Sequence, residues 1–537
     1  MRQEARSRER TAHASPGYQP EEARLRSTMY VPQTMPAVMN TWGMTAVFVL
    51  VILFVSNVVN AIPAGAATLT YWLLGALGFF LPSLLLTAGQ AVILPYEGAL
   101  YAWAHAAFLQ QAHPALGSFV SFFAAFCDWF PAIPLIVSTP VLLVPFVQGL
   151  NPHWLTAPWQ QGLLIVGCQL FSALLALQRS RTVQYVLIGG MLLLLAAVVL
   201  LTASGVTWLL EGHPSATSFT HFSDWAITWD NRAVLGVVAL AYLGANLPLR
   251  LSGELAGRDD KARRSSITRH LALGGMLVLL GYLLVTLALL IVQGPHANYT
   301  QFALISTVDL VLGKVAGNVV AVCLMGGLLL ATVAYQVTYA RLLMVGGIDG
   351  RLPMALSKLN RYRAPAVALR WQTGVSLVMT VFIYFTPPSI IAFGLSPDDV
   401  PVVYQNVMLA ALTLVWAFSQ LFLLLGGALL CGRVRRRQPQ YARRLLPQPL
   451  LWGLALLGST FSVLAMLDTL LNPWITQLSA RAWGQTVGGV TVGCLLIAAI
   501  ASMIAISEAG WETLRMAAEP EVEGASRWEP TPALTRP

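Results

Sequence analysis

Charge-free apolar runs of about 20 residues recur along this chain from Trp42 to Ile506, each long enough as a helix to cross about 30 Å of hydrocarbon. Twelve can be drawn, over residues 42–62, 68–95, 117–147, 161–178, 182–209, 233–255, 270–293, 315–340, 365–386, 401–431, 449–471 and 483–506. With 56% of its 537 residues hydrophobic and only 10% charged, the chain cannot be an ordinary water-soluble globule, whose charged share is about one quarter. The sequence predicts an all-α integral membrane protein with twelve transmembrane helices. Several runs exceed the minimum and must tilt, bend or continue outside the bilayer.

Two runs are interrupted. The first carries Ser56-Asn57-Val58-Val59-Asn60-Ala61-Ile62-Pro63-Ala64-Gly65 and the sixth Leu243-Gly244-Ala245-Asn246-Leu247-Pro248. In hydrocarbon, unwound backbone survives only when buried in protein or lining a polar cavity. Interrupted segments opening the two halves of a membrane chain are the best sequence pointer to a carrier's binding site.

The basic residues set an expected orientation, because Lys and Arg are retained on the cytoplasmic side of short loops. With the N-terminus inside, all 32 Lys and Arg except Arg232, Lys314 and Arg481 fall on that side, Arg250 being counted there with the charges that follow span 6. Both termini are then cytoplasmic. The net charge of +9 reports topology and contact with anionic headgroups, and a nucleic-acid partner is not expected. Residues 1–40 form a charged tail, weakly ordered over 1–35, and 507–537 form an acidic tail; a solvated end is the plainer reading of the latter, a plug for the inward-open cavity the other. The first apolar run starts some forty residues in and is long enough to span, so no cleavable signal peptide is expected. Cys127, Cys168, Cys323, Cys431 and Cys494 lie in or at the ends of apolar runs and lack metal or disulfide spacing, so free buried thiols are expected. Between spans 2 and 3, the segment 94–108 with Leu100, Tyr101, Trp103 and Phe108 fits an interfacial helix, with His105 and His113 as interfacial polar residues.

Several motifs occur in a telling order. They are Pro95-x-Glu97-Gly98-x-x-Tyr101-x-Trp103; Tyr242-Leu243-Gly244 leading to Glu254 and Gly257-Arg258-Asp259; and Tyr339-Ala340-Arg341 followed by Gly347-Ile348-Asp349-Gly350-Arg351-Leu352-Pro353 and Ala364-Pro365. In these the chain resembles the amino acid/polyamine/organocation (APC) transporter superfamily over residues 42–506. Around Phe80-Leu81-Pro82 and in span 8 the glutamate/γ-aminobutyrate antiporter branch is the nearest in look. The resemblance implies a five-plus-five inverted repeat (about 42–209 and 233–431) with discontinuous helices 1 and 6 and peripheral helices over 449–506. The first interruption departs from the family pattern: it offers Ser56, Asn57 and Asn60 in place of a glycine-rich signature, and Asn246 stands near a position often acidic in the family.

An amino acid brings a carboxylate and an ammonium into a low-dielectric site, where fixed dipoles must replace water. Half-helix N-termini suit the carboxylate and free carbonyls the ammonium. The expected carboxylate seat is therefore the backbone of Asn60, Ala61 and on to Gly65. The ammonium seat is expected near Ser56 and at Tyr242, Leu243, Gly244 and Ala245, with Asn57, Asn60 and Asn246 adding side-chain hydrogen bonds or merely satisfying freed backbone. In the implied fold Tyr335, Gln336, Tyr404, Gln405 and Asn406 face the cavity. Asp128, an acid well inside a span, either binds an amine or carries a coupling proton, or is a structural residue beside Pro131 and Pro134. Trp129 reads as packing or gate, and Glu254 and Arg341, at cytoplasmic ends, as gating partners of neighbouring charges or as snorkelling side chains.

These observations point to a plasma-membrane secondary transporter for an amino acid or related amine, not an enzyme, with no cofactor and no metal. A polyamine or organocation carrier and a substrate sensor without turnover are the alternatives. Asp128 has no intramembrane His for catalysis, and the chain has no Walker loop for ATP.

Overall fold

The computed structural model describes residues 25–108, 114–256, 260–295, 297, 301–385, 399–438, 443–475 and 477–518. Among these, twelve helices are long and apolar enough to cross a membrane. Spans 1 to 6 are Thr41–Ala64, Ala67–Ile93, Gly117–Leu150, Pro158–Ala176, Ser180–Leu210 and Val234–Glu254. Spans 7 to 12 are Lys261–Val292, Lys314–Ile348, Ala366–Phe385, Val402–Arg437, Gln448–Leu471 and Ala480–Ser507. Spans 1 and 6 are the most enclosed, 83% and 89% buried in their apolar windows, whereas span 12 is 22% buried. The interrupted helices thus stand at the centre, while Val492, Leu496, Ile500 and Ile504 of span 12 face outward, as an apolar solvent permits.

Sequence explains the bends. Span 3 runs as Pro114–Trp129, Ala132–Val141 and Leu143–Leu150, broken where Pro131 removes a backbone donor and again beside Pro140. Span 2 carries a π-turn at Ala76–Phe80. Just before it, Gly75 lets span 2 lie against span 6, since a Cβ there would sit 2.4 Å from Val238 Cγ1.

Three local expectations need correction. The tail is not weakly ordered up to residue 35: Arg26–Thr34 is a helix whose Ser27 N–H and hydroxyl both donate to Asp349 at 2.8 Å and whose Val31 is buried. The segment Leu100–Phe108 is helical, but Leu100, Tyr101 and Trp103 are buried, so these side chains pack inside the protein instead of facing headgroups. Arg250 is not a loop charge; it is fully buried in the second half of span 6. His113, Gly257-Arg258-Asp259 and the acidic tail beyond 518 lie outside the described residues.

One backbone bridge joins the entrance of span 1 to the exit of span 6: Met39 N–H donates to Glu254 O and Ala256 N–H to Met39 O, both at 2.8 Å.

Candidate functional site

Span 1 is helical over Thr41–Ile52 and again from Ser56, with Leu53-Phe54-Val55 unwound between. The break thus lies one turn before the expected Ser56–Gly65. Ser56–Ala61 is α-helical, Ile62–Ala64 continues as a 3-10 turn with Pro63 at its start, and Gly65 at φ +61° merely ends the segment. Span 6 breaks where the sequence places it: helix Val234–Tyr242 stops, Leu243 is extended, Gly244 takes φ +104°, and a 3-10 helix Leu247–Glu254 follows. Glycine is required there, because a Cβ would be strained at that φ and would meet Leu247 and Trp416 at 2.9–3.0 Å.

Tyr282 of span 7 holds the two breaks together. Its hydroxyl lies 2.6 Å from Ile52 O and 3.3 Å from Ala241 O, and accepts from Phe54 N–H at 3.1 Å. Its ring stacks on Trp72 at 4.4 Å. From span 8 the Tyr335 hydroxyl donates to Val51 O at 2.6 Å, and its ring stacks on Phe54. The carbonyls freed at the end of the first half-helix are therefore met by two tyrosines. The N–H groups of Val55, Ser56, Gly244 and Ala245 find no acceptor among the described residues.

A cavity of about 60 Å³ occupies this junction, with room for a handful of waters. Span 1 lines it with Phe54, Ser56, Asn57 and Asn60, and span 6 with Leu240 and Leu243. Leu135, Ser138, Thr139 and Leu142 come from span 3, Tyr335 from span 8, and Leu409 and Trp416 from span 10. The structure thus brings together Ser56, Asn57, Asn60, Leu243 and Tyr335. It places the other expected residues elsewhere. Tyr242 lies behind the break, stacked on Phe80. Ala245 is buried, and Gly65 closes the far end of span 1. Ala61 O is taken by the Thr68 hydroxyl. Gln336 bonds Gln372 at 2.6 Å in the seam between spans 8 and 9. Tyr404 packs on Phe382, and neither Gln405 nor Asn406 lines the cavity.

Two buried charge clusters lie along the second half of span 6. In the first, Arg250 Nη2 pairs with the Asp128 carboxylate and donates to Asp128 O at 3.0 Å, both side chains being wholly buried. Asn246 Nδ2 donates to both carboxylate oxygens at 3.1 and 3.3 Å, and the guanidinium lies 4.3 Å from the centre of the Tyr339 ring. Asp128 is thus a paired acid on span 3, facing span 6. In the second cluster Arg341 Nη2 pairs with Glu254, and Arg341 Nε lies 3.3 Å from Glu97 Oε1. Two carboxylates share that arginine in a buried place. Desolvation, opposed by Arg341 and reinforced by Glu254, pushes the Glu97 carboxyl up to about 8. Glu254 and Arg341, expected to meet charges of neighbouring loops or to snorkel, pair with each other. Trp129 lies outside the central cavity, its ring 5.4 Å from Trp371.

Sequence reasoning missed Tyr282, Ser138, Thr139 and Trp416, and the pairing of Arg250. A tyrosine inside the aliphatic run of span 7 was itself a signal, since a buried phenol needs a partner. An arginine four residues after the Asn246 interruption was another.

Comparison with known proteins gives a consistent picture. A family model described as amino acid permease matches residues 39–506. A transporter of uncharacterised function from Legionella pneumophila is 22% identical over 357 residues, 64% of this chain and 74% of that one. Among solved structures, a substituted form of the manganese transporter of Eremococcus coleocola superposes with TM-score 0.55 at 12% identity, covering 90% of this chain and 99% of that one. The same transporter in complex with an aromatic bis-isothiourea substituted compound gives TM-score 0.53 at 11% identity over the same shares.

Proposed function

This chain belongs to the amino acid permease family within the APC superfamily, and on that premise we propose that it is a secondary active transporter carrying an amino acid or related amine across the plasma membrane by alternating access, with both termini cytoplasmic. The observation that carries this reading is the cavity at the junction of the two interrupted helices, bounded by spans 3, 8 and 10. The unpartnered N–H groups of Val55 and Ser56 suit the substrate carboxylate. The Tyr335 hydroxyl, the Ser138 and Thr139 hydroxyls and the Asn57 amide are the polar groups within reach of an ammonium. Leu135, Leu142, Leu243 and Leu409 favour a compact aliphatic side chain.

A manganese cargo fits this cavity poorly. Hard divalent cations take carboxylate and other oxygen ligands, and among the described residues no acid, His, Cys or Met lines the junction. Asp128 is already held by Arg250 and Asn246.

The charge clusters act as side-chain locks in this reading. Asp128–Arg250 ties span 6 to span 3, and Arg341–Glu254 ties it to span 8, on the side where the loops are basic. Opening that side parts them. Flux of labelled amino acids and polyamines into liposomes carrying the full chain, with and without a pH gradient, tests the proposal. Uptake of one amino acid, lost in Ser138→Phe, is expected. Binding without counterflow would make the protein a sensor, and uptake of polyamines alone would make it an organocation carrier.

A further inference from the structure

A second, larger cavity of about 320 Å³ lies apart from the helix junction, between spans 3, 8 and 9 and beneath the chain that joins spans 8 and 9. Phe122, Phe126 and Trp129 of span 3 form one wall, Leu342 and Leu343 of span 8 another, and Trp371 of span 9 a third. Among the described residues no charged one lines it. Protein interiors pack to near-crystalline density, so a void of this size is not ordinary looseness. Nor is it a place for water, which needs two to four polar partners; apolar cavities of about half this volume stay dry and take up apolar ligands.

We propose that this cavity is a lateral binding site for the acyl chain of a membrane phospholipid. Its lip is open: Pro353, Ala355 and Trp371 are exposed. From that lip Trp371, Val375, Val378 and Phe382 follow one another at spacings of four, three and four residues, all exposed, as one apolar stripe down span 9. In a bilayer such a stripe meets lipid tails, so the cavity is a side pocket of the lipid-facing surface. Trp371 lies between one and two turns inside the start of span 9, the depth at which tryptophan marks the headgroup boundary. Lys358 and Arg370, both exposed and close in sequence to the lip, suit the phosphate of a headgroup. A transported amino acid would have to shed water from both its charges here with no charged side chain to receive either, the polar groups of the lining being the Tyr101 hydroxyl and the Trp129 indole N–H, so this is not a second cargo seat.

The occupant would rest on Trp129, next in sequence to Asp128, and on Leu342, next to Arg341.

The test uses the full chain in vesicles containing a phosphatidylglycerol with a photoreactive diazirine in one acyl chain, followed by irradiation and mass-spectrometric mapping of adducts. Adducts are expected on Phe126, Trp129 and Leu343 as well as on the outward Val378 and Phe382. Ala355→Trp, which fills the lip, should abolish the interior adducts and leave the outward ones unchanged; Val367→Trp serves the same purpose should the first variant fail to reach the membrane. Labelling confined to Val378 and Phe382 would overturn the proposal, as would interior labelling that survives closure of the lip. Interior labelling by a free apolar diazirine but not by the lipid would overturn it as well, making the cavity a site for a small solute.

Discussion

Replacing Asp128 by Asn leaves Arg250 buried with no counter-ion. Removing one partner of a buried pair costs about 3–5 kcal/mol, because the remaining charge has been taken out of water without compensation. Here the Arg250 bond to Asp128 O at 3.0 Å and the face of Tyr339 survive the substitution, which sets the loss at the lower end, about 3 kcal/mol. That is roughly a hundredfold shift between folded and unfolded forms. Arg250→Met should be milder, since the stranded carboxylate keeps the two Asn246 contacts. The double variant, with neither charge, should recover part of the loss, a coupling of about 0.5–3 kcal/mol. The buried Cys127, Cys323, Cys431 and Cys494 supply the assay, as a thiol-specific fluorophore reaches them only on unfolding in a denaturant series. If Asp128→Asn unfolds within about 0.5 kcal/mol of the parent, or if the two single effects simply add, the pair does not act as described.

Three further outcomes follow from the same geometry. Tyr282→Phe keeps the stack on Trp72 but removes the hydroxyl shared by both breaks; with Phe54 N–H and Ile52 O still bonded to each other at 2.9 Å, the loss should be about 1–2 kcal/mol, together with a raised KM in counterflow. Gly244→Ala forces a Cβ onto a backbone at φ +104° and against Trp416, which should cost at least about 1–3 kcal/mol and abolish uptake without removing any polar group. Because the folded state lifts the Glu97 carboxyl from 4.5 to about 8, between those pH values the native protein holds a proton there that the unfolded chain releases. The associated stability is complete below about 4.5 and is lost as pH rises through about 8. Tryptophan-monitored unfolding should show that decline in the parent and a flatter profile in Glu97→Gln.

The number and order of the spans were legible because hydrophobic length is a local property. The span 6 interruption was legible for the same reason, since Gly244 and Pro248 mark it in sequence. The span 1 interruption was misplaced because Pro63 and Gly65 look like breakers, yet Pro63 opens a 3-10 turn and Gly65 ends the segment. The actual break runs through Leu53, Phe54 and Val55, none of which disfavours a helix in lipid. What holds it open is Tyr282 and Tyr335, more than two hundred residues away. Arg250 failed similarly: charge counting assigns an arginine near the end of a span to a loop, and only the fold reveals a carboxylate 122 positions earlier. Asp128 was singled out correctly as expensive, but an expensive residue does not announce its partner. The central cavity, assembled from five spans, follows from no single stretch.

The bridge at Met39 gives spans 1 and 6 a seam that no rotamer change can undo. Main-chain bonds stitch their near ends, and a single phenol pins them again at mid-length. On the proposed alternating-access reading, a pair fastened at two heights would move as one plank. Every tie from that plank to spans 3 and 8 named above ends in a side chain on at least one partner: Asp128 with Arg250, Arg341 with Glu254, and the Tyr335 hydroxyl with Val51. On that reading the contacts to spans 3 and 8, each ending in a rotatable side chain, are the ones that would part.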